Sequence, residues 1–231
     1  MAKISLPDFF KWFDANNVNH LEAVVLLESM MPETLLRDQS AWVLKYREKP
    51  EAPPAPEGIC TPELMERLTG HPAHTFDSVF CNDCNRLFHE TGFDRHPHCQ
   101  MMLMANMMHE TCNFVYMQEI ASGEAYNNRS DLGNGPTDGP KYKGAGVLQL
   151  TGRYNYQRLS NDLGDPKVMD GVDYVSNTYP FTSAKTWITE NDLLNVCLNQ
   201  GFDACCQRIN GGWNGIDDRR AKYGICQREM G

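Results

Sequence analysis

Two carboxylates and a polar run carry the chemistry of this chain. Glu110 stands in His109-Glu110-Thr111, Glu119 follows nine residues later, and Lys143–Tyr156 then brings Gln149, Thr151, Arg153 and Asn155 together. Cleaving an acetal such as a glycosidic bond needs parts of this kind. One carboxyl group donates a proton to the leaving oxygen, a second activates a water, and neutral hydrogen-bonding groups hold the sugar. Glu110 closes an apolar stretch, where desolvation disfavours a charged carboxylate and suits a proton donor.

The elements that must position these groups read as helices. Residues 98–110, with Met101, Met102, Leu103, Met104, Met107 and Met108, are apolar on nearly every side and predict a central buried helix. Its methionines read as core filler. Nine residues of unbroken helix would carry Glu119 about 13 Å along the axis from Glu110. The helix must therefore end near residues 111–114 if Glu119 is to return to the same site. Further helices are predicted over residues 63–68, 76–89 (stopped by Gly92), 155–163, 184–188, 192–198, 203–209 and 217–223. Residues 127–143, rich in Gly, Asn, Asp and Pro, read as loop, and 147–151 as a short extended piece. The fold class is mainly α with minimal sheet.

Residues 49–58 hold four prolines and form a Pro/Ala/Glu linker, an extended semi-rigid spacer. It separates a small helical N-terminal module, residues 1–48, from a main domain over residues 59–231. The module packs on itself or on the main domain, or serves as a wall-binding or virion-docking element.

In order along the chain, Ala105–Thr111, Glu119, Asp131-Leu132-Gly133-Asn134, Asp138-Gly139, Lys143–Tyr156 and Ile209-Asn210-Gly211-Gly212-Trp213-Asn214-Gly215 resemble glycoside hydrolase family 19, the chitinase and phage-endolysin family. The resemblance runs from about residue 75 to residue 223. The Gln149–Asn155 segment, some forty residues after His109-Glu110-Thr111, is its most specific part. The resemblance implies a lysozyme-like, two-lobed fold with a central cleft, and hydrolysis of β-1,4-linked N-acetylated aminosugars with inversion. That outcome calls for carboxyl groups about 6.5–9.5 Å apart.

Carried over by position, the resemblance makes Glu110 the general acid and Glu119 the general base, with Glu124 as a rival base. Thr151 fixes the nucleophilic water. Gln149, Asn155 and Asn210 are sugar-binding amides, Tyr126 and Tyr154 offer stacking or packing faces, and Arg153 lines the cleft or positions a carboxylate. Two departures stand out. Tyr126-Asn127-Asn128-Arg129 replaces the Tyr-Glu-Gly-Arg of many phage relatives, and Gly144-Ala145-Gly146 replaces a Gly-Arg-Gly, removing one cleft arginine. A late disulfide in plant members suggests a bridge from Cys205 or Cys206 to Cys226.

The formal net charge of −9, with no basic run, argues against nucleic-acid binding. No apolar run is long enough to insert in a membrane. The N-terminus has no secretory signal pattern, which predicts synthesis in the host cytoplasm and action on the wall after holin-dependent release, or carriage in the virion. Cys81-Asn82-Asp83-Cys84 with His89, His96, His98 and Cys99 could hold zinc, but no second Cys pair completes a four-cysteine site, so buried thiols or a disulfide are the expectation. No metal or other cofactor is implied. The expected protein is a monomeric phage endolysin cutting between N-acetylmuramic acid and N-acetylglucosamine in peptidoglycan strands. A chitinase and an inactive glycan-binding virion protein are the alternatives.

Overall fold

The structure, a computed structural model, describes residues 58–231. The chain divides at Pro54/Ala55. The helical module over residues 1–48 and the bulk of the Pro-rich linker lie outside the described residues.

Ten α-helices follow one another among the described residues: α1 (Pro62–Thr69), α2 (Ser78–Thr91), α3 (Pro97–Glu110), α4 (Asp138–Lys141), α5 (Arg153–Leu163), α6 (Val172–Thr178), α7 (Lys185–Glu190), α8 (Leu193–Gln200), α9 (Phe202–Asn210) and α10 (Ile216–Met230). The only β pairing described is two isolated bridges, Gln118 with Ala145 and Ala145 with Leu150. Local sequence explains the helix ends. Thr61 caps α1 through its side chain and Asp77 caps α2, while Gly70 and Gly92 close them in the left-handed conformation.

The apolar residues collect into two cores. The larger surrounds α3, whose Leu103, Met104, Met107 and Met108 are fully buried, and includes Phe88, Phe93, Phe181 and Leu193. The smaller one gathers Tyr142, Ala145, Tyr156, Leu159, Val168, Val172 and Val175. These are the two lobes, and the segment 144–151 runs along their seam. α10 packs lengthwise on α3, the most extensive helix pairing among the described residues.

α3 ends abruptly, as the return of Glu119 requires. The Thr111 hydroxyl donates to the Met107 carbonyl (2.7 Å) and accepts from the Phe114 N–H (2.9 Å). Cys112, Asn113 and Phe114 then take left-handed backbone angles in succession. Three such non-glycine residues are strained, and the reversal they make sends the chain back along the seam.

Several expectations change. The expected extended piece over 147–151 is instead a tight turn over 146–149, closed by paired bonds between Ala145 and Leu150 (3.0 and 2.8 Å). The predicted loop over 127–143 contains the one-turn helix α4, and α6 was not foreseen at all. None of the nine cysteines is disulfide-bonded in this structure. Cys226 faces the Met108 sulfur at 3.9 Å, so the suggested bridge from Cys205 or Cys206 to Cys226 is absent. Among the described residues no cluster of three or more His, Cys, Asp or Glu side chains could hold a metal, and no helix is long and apolar enough to cross a membrane.

Candidate active site

Glu110 is the last residue of α3, and its carboxylate meets a buried cation beside the apolar Leu148, Trp187 and Ile209 that share its cavity. Arg219 of α10 reaches it, Nη2 lying 2.5 Å from Oε1. Arg219 is only 2% exposed. Its Nη1 donates to Asn106 Oδ1 (2.7 Å), one helical turn before Glu110, and its Nε to the Asn214 carbonyl (3.4 Å). A buried guanidinium needs partners on every edge, and here the i, i+4 pair Asn106/Glu110 supplies two of them. Next to it, His109 Nδ1 lies 2.6 Å from Asp218 Oδ2. Burial alone would raise the Asp218 carboxyl, but hydrogen bonds from His109 and Lys222 outweigh it and hold the group below its ordinary value.

Glu119 is held from two sides. The Tyr126 hydroxyl donates to Oε1 (3.0 Å) and the Gly144 N–H to Oε2 (3.1 Å), while the Glu119 N–H donates to the Gly144 carbonyl (2.9 Å). Burial, then the neighbouring Glu119 carboxylate, pushes the Tyr126 hydroxyl above its usual value, so it stays a donor. The close approach depends on glycine. A Cβ on Gly144 would stand 2.3 Å from Gln149 Oε1 and 3.2 Å from Glu119 Cβ. Glu119 and Gln149 therefore flank the same backbone position.

Gln149 flanks Gly144 beside Glu119 and shares a cavity lining with Glu110. It lies in the turn with left-handed backbone (φ 54°) and donates from Nε2 to the Gly146 carbonyl (3.0 Å). With Leu148, Trp187, Ile209 and Glu110 it lines a small cavity of about 100 Å³. With Leu148, Trp187, Thr151 and Asn155 it also lines an adjoining cavity of about 330 Å³. The two share Leu148, Gln149 and Trp187, making one trough along the lobe seam. Trp187 supplies a ring face, and Gln149, Thr151 and Asn155 supply amide and hydroxyl groups, a mixture that suits a sugar. The Thr151 hydroxyl donates to the Gln149 carbonyl (2.8 Å), and Asn155 Nδ2 to the Thr151 carbonyl (2.8 Å).

Other foreseen residues lie outside the trough lining. Glu124 is exposed, and no side-chain partner for its carboxylate is found among the described residues. Tyr154 is 61% exposed, its ring over Gly133, so it is not a core ring. Arg153 Nη1 lies 3.1 Å from Asp138 Oδ2, the carboxylate-positioning alternative. Asn210 ends α9 and donates to the Asn214 carbonyl (3.2 Å), while its neighbour Ile209 lines the cavity. Sequence reasoning missed Arg219, Asn106, Asp218 and Trp187. The available signal was Asn106 and Glu110 at i, i+4 on an otherwise apolar helix, a polar pair that calls for a partner.

A mainly helical, two-lobed fold with a trough at the seam, lined by Glu110, is the lysozyme-like architecture. No protein-family model matches the chain. An endochitinase of Arabidopsis thaliana is 36% identical over 112 residues, covering 48% of this chain and 38% of that protein. A glycosyl hydrolase family 19 domain-containing protein of Haemophilus influenzae is 34% identical over 108 residues, 46% of this chain and 51% of that one. The chain thus spans about half or less of the length of these relatives. Among solved structures, a bacterial family 19 chitinase superposes with TM-score 0.57 at 18% identity, covering 74% of this chain and 95% of that one. Chitinase C from Streptomyces griseus HUT6037 gives 0.54 at 15% identity, over 75% and 94%. Over about half its length the chain is similar in sequence to family 19 glycoside hydrolases, and it has their fold.

Proposed function

We propose that the chain hydrolyses β-1,4 glycosidic bonds between N-acetylated aminosugars, with Glu110 as general acid and Glu119 as general base. One observation carries the reading: Glu110, fixed by Arg219, and Glu119, fixed by Tyr126 and Gly144, have Gln149 in common, which lines the trough beside Glu110 and abuts Gly144. Glu110 delivers a proton to the leaving oxygen, and Arg219 stabilises the negative charge left behind. Glu119 takes a proton from water, which attacks the anomeric carbon with inversion. The Thr151 hydroxyl, already donating to a carbonyl, keeps lone pairs that orient that water. Gln149 and Asn155 bind acetamido and hydroxyl groups.

Within this chemistry the reading is a phage endolysin cutting peptidoglycan between N-acetylmuramic acid and N-acetylglucosamine. It acts on the wall as a monomer after holin-dependent release, or from the virion. The Pro-rich spacer joining a small segment to the catalytic unit supports it, since that layout suits delivery to an insoluble polymer. The second reading, a chitinase, is favoured by the endochitinase names of the relatives. Digesting purified peptidoglycan and colloidal chitin side by side, with mass spectrometry of the new ends, separates them. Reducing ends on muramic acid are expected. Ends released from chitin alone establish the second reading, and no ends from either polymer defeat both.

A further inference from the structure

Away from the trough, two sulfur atoms meet in the larger core. Cys60 Sγ lies 3.1 Å from Cys84 Sγ of α2. Both residues are buried, 3% and 0% exposed. The approach does not depend on the sulfurs alone. The Cys60 N–H donates to Asn85 Oδ1 (2.9 Å), and Asn85 Nδ2 donates back to the Cys60 carbonyl (3.0 Å). This two-bond clamp fixes the backbone of Cys60 against α2 and aims its side chain at Cys84.

We propose that Cys60 and Cys84 are a disulfide-forming pair that staples the start of the catalytic unit to α2. With oxidised glutathione as oxidant, the Cys60 thiolate attacks the glutathione disulfide and expels one glutathione thiolate. Cys84, losing its proton to solvent, then displaces the second glutathione from Cys60. The protein gains one S–S bond and loses two thiol hydrogens, and two molecules of reduced glutathione are formed. Burial pushes the Cys84 thiol well above its ordinary value, which keeps it protonated and unreactive in the closed structure. The bond therefore forms during folding, or when the edge carrying Cys60 opens. Once made, it closes a loop spanning α1. Neither cysteine lines the trough, so turnover is unaffected.

The test refolds the full chain with oxidised or with reduced glutathione, alkylates free thiols, and maps peptides by mass spectrometry. The oxidised sample is expected to yield a Cys60–Cys84 cross-linked peptide. Its melting temperature should exceed that of the reduced sample by about 6–12 °C, a difference abolished by dithiothreitol. Cys60→Ser should remove the cross-link and the added stability, leaving turnover on soluble glycan unchanged. Alkylated Cys60 and Cys84 after oxidative refolding of the wild-type chain would overturn the proposal. So would a cross-link from Cys84 to a different cysteine, or a thermal gain that survives in Cys60→Ser.

Discussion

Arg219 and Glu110 are joined across 109 positions of sequence by a guanidinium–carboxylate contact of 2.5 Å, with the arginine buried and the glutamate at the edge of the trough. Because Arg219 also binds Asn106 on the same helix face, it ties the orientation of Glu110 to the packing of α10 on α3. Glu110 is thereby positioned by the core rather than by a loop.

Arg219→Lys keeps the charge but loses the planar fork that serves Asn106 and Glu110 together. The expected effect is a fall in kcat on the order of 100-fold with KM little changed, since the lost contact matters most as Glu110 becomes charged. Loss of a charged hydrogen bond to Asn106 should also cost about 1.5–3 kcal/mol of stability. Steady-state kinetics and urea unfolding check both.

The anchoring of Glu119 separates it from its rival. Glu119→Gln should reduce kcat by about 10²- to 10⁴-fold, while Glu124→Gln, an exposed carboxylate without a described partner, should leave it within about twofold. Tyr126→Phe removes the bond to Glu119 Oε1 and should lower kcat about tenfold while sparing KM. Equal losses in the Glu119 and Glu124 variants would contradict this assignment of the base.

Asp138 gives a pH-dependent contribution to stability. The Gly135 N–H, and then Arg153, hold its carboxyl below the ordinary value of 3.8, outweighing the opposing effect of burial. A depressed folded value means the stabilisation is present above the unfolded value and is lost as pH falls through the folded one. Asp138→Asn should cost about 1 kcal/mol at pH 7, because the Arg153 partner is exposed to solvent. The gap from wild type should close below pH 3.8. Thermal unfolding across pH 2–7 measures it.

Much of the helical frame was legible because it obeys local rules. α3 announced itself by its methionines, and α2 by its length and by Gly92. α6 was not legible: it has seven residues, begins after a glycine in an irregular conformation, and buries only Val172, Val175 and Ser176. The turn over 146–149 was misread as extended because Gln149 takes a left-handed angle its residue type disfavours. Arg219 was hidden differently. Asp217-Asp218-Arg219-Arg220 reads as a solvated helix start, and Asp217, Asp218 and Arg220 do lie partly or largely in solvent. Only the tertiary packing of α10 on α3 turns Arg219 inward. The two carboxylates and the polar run were visible from residue type and spacing, but what holds the carboxylates in place was not.

The central claim is that Glu110 supplies the proton for glycan cleavage, and Glu110→Gln tests it most directly. The amide preserves shape and can still accept from Arg219 while carrying no transferable acidic proton. Release of reducing ends from purified peptidoglycan and from soluble N-acetylglucosamine oligomers should fall by at least about 10³-fold, with the helical circular-dichroism spectrum intact. Cleavage near the wild-type rate by the folded variant would contradict the account.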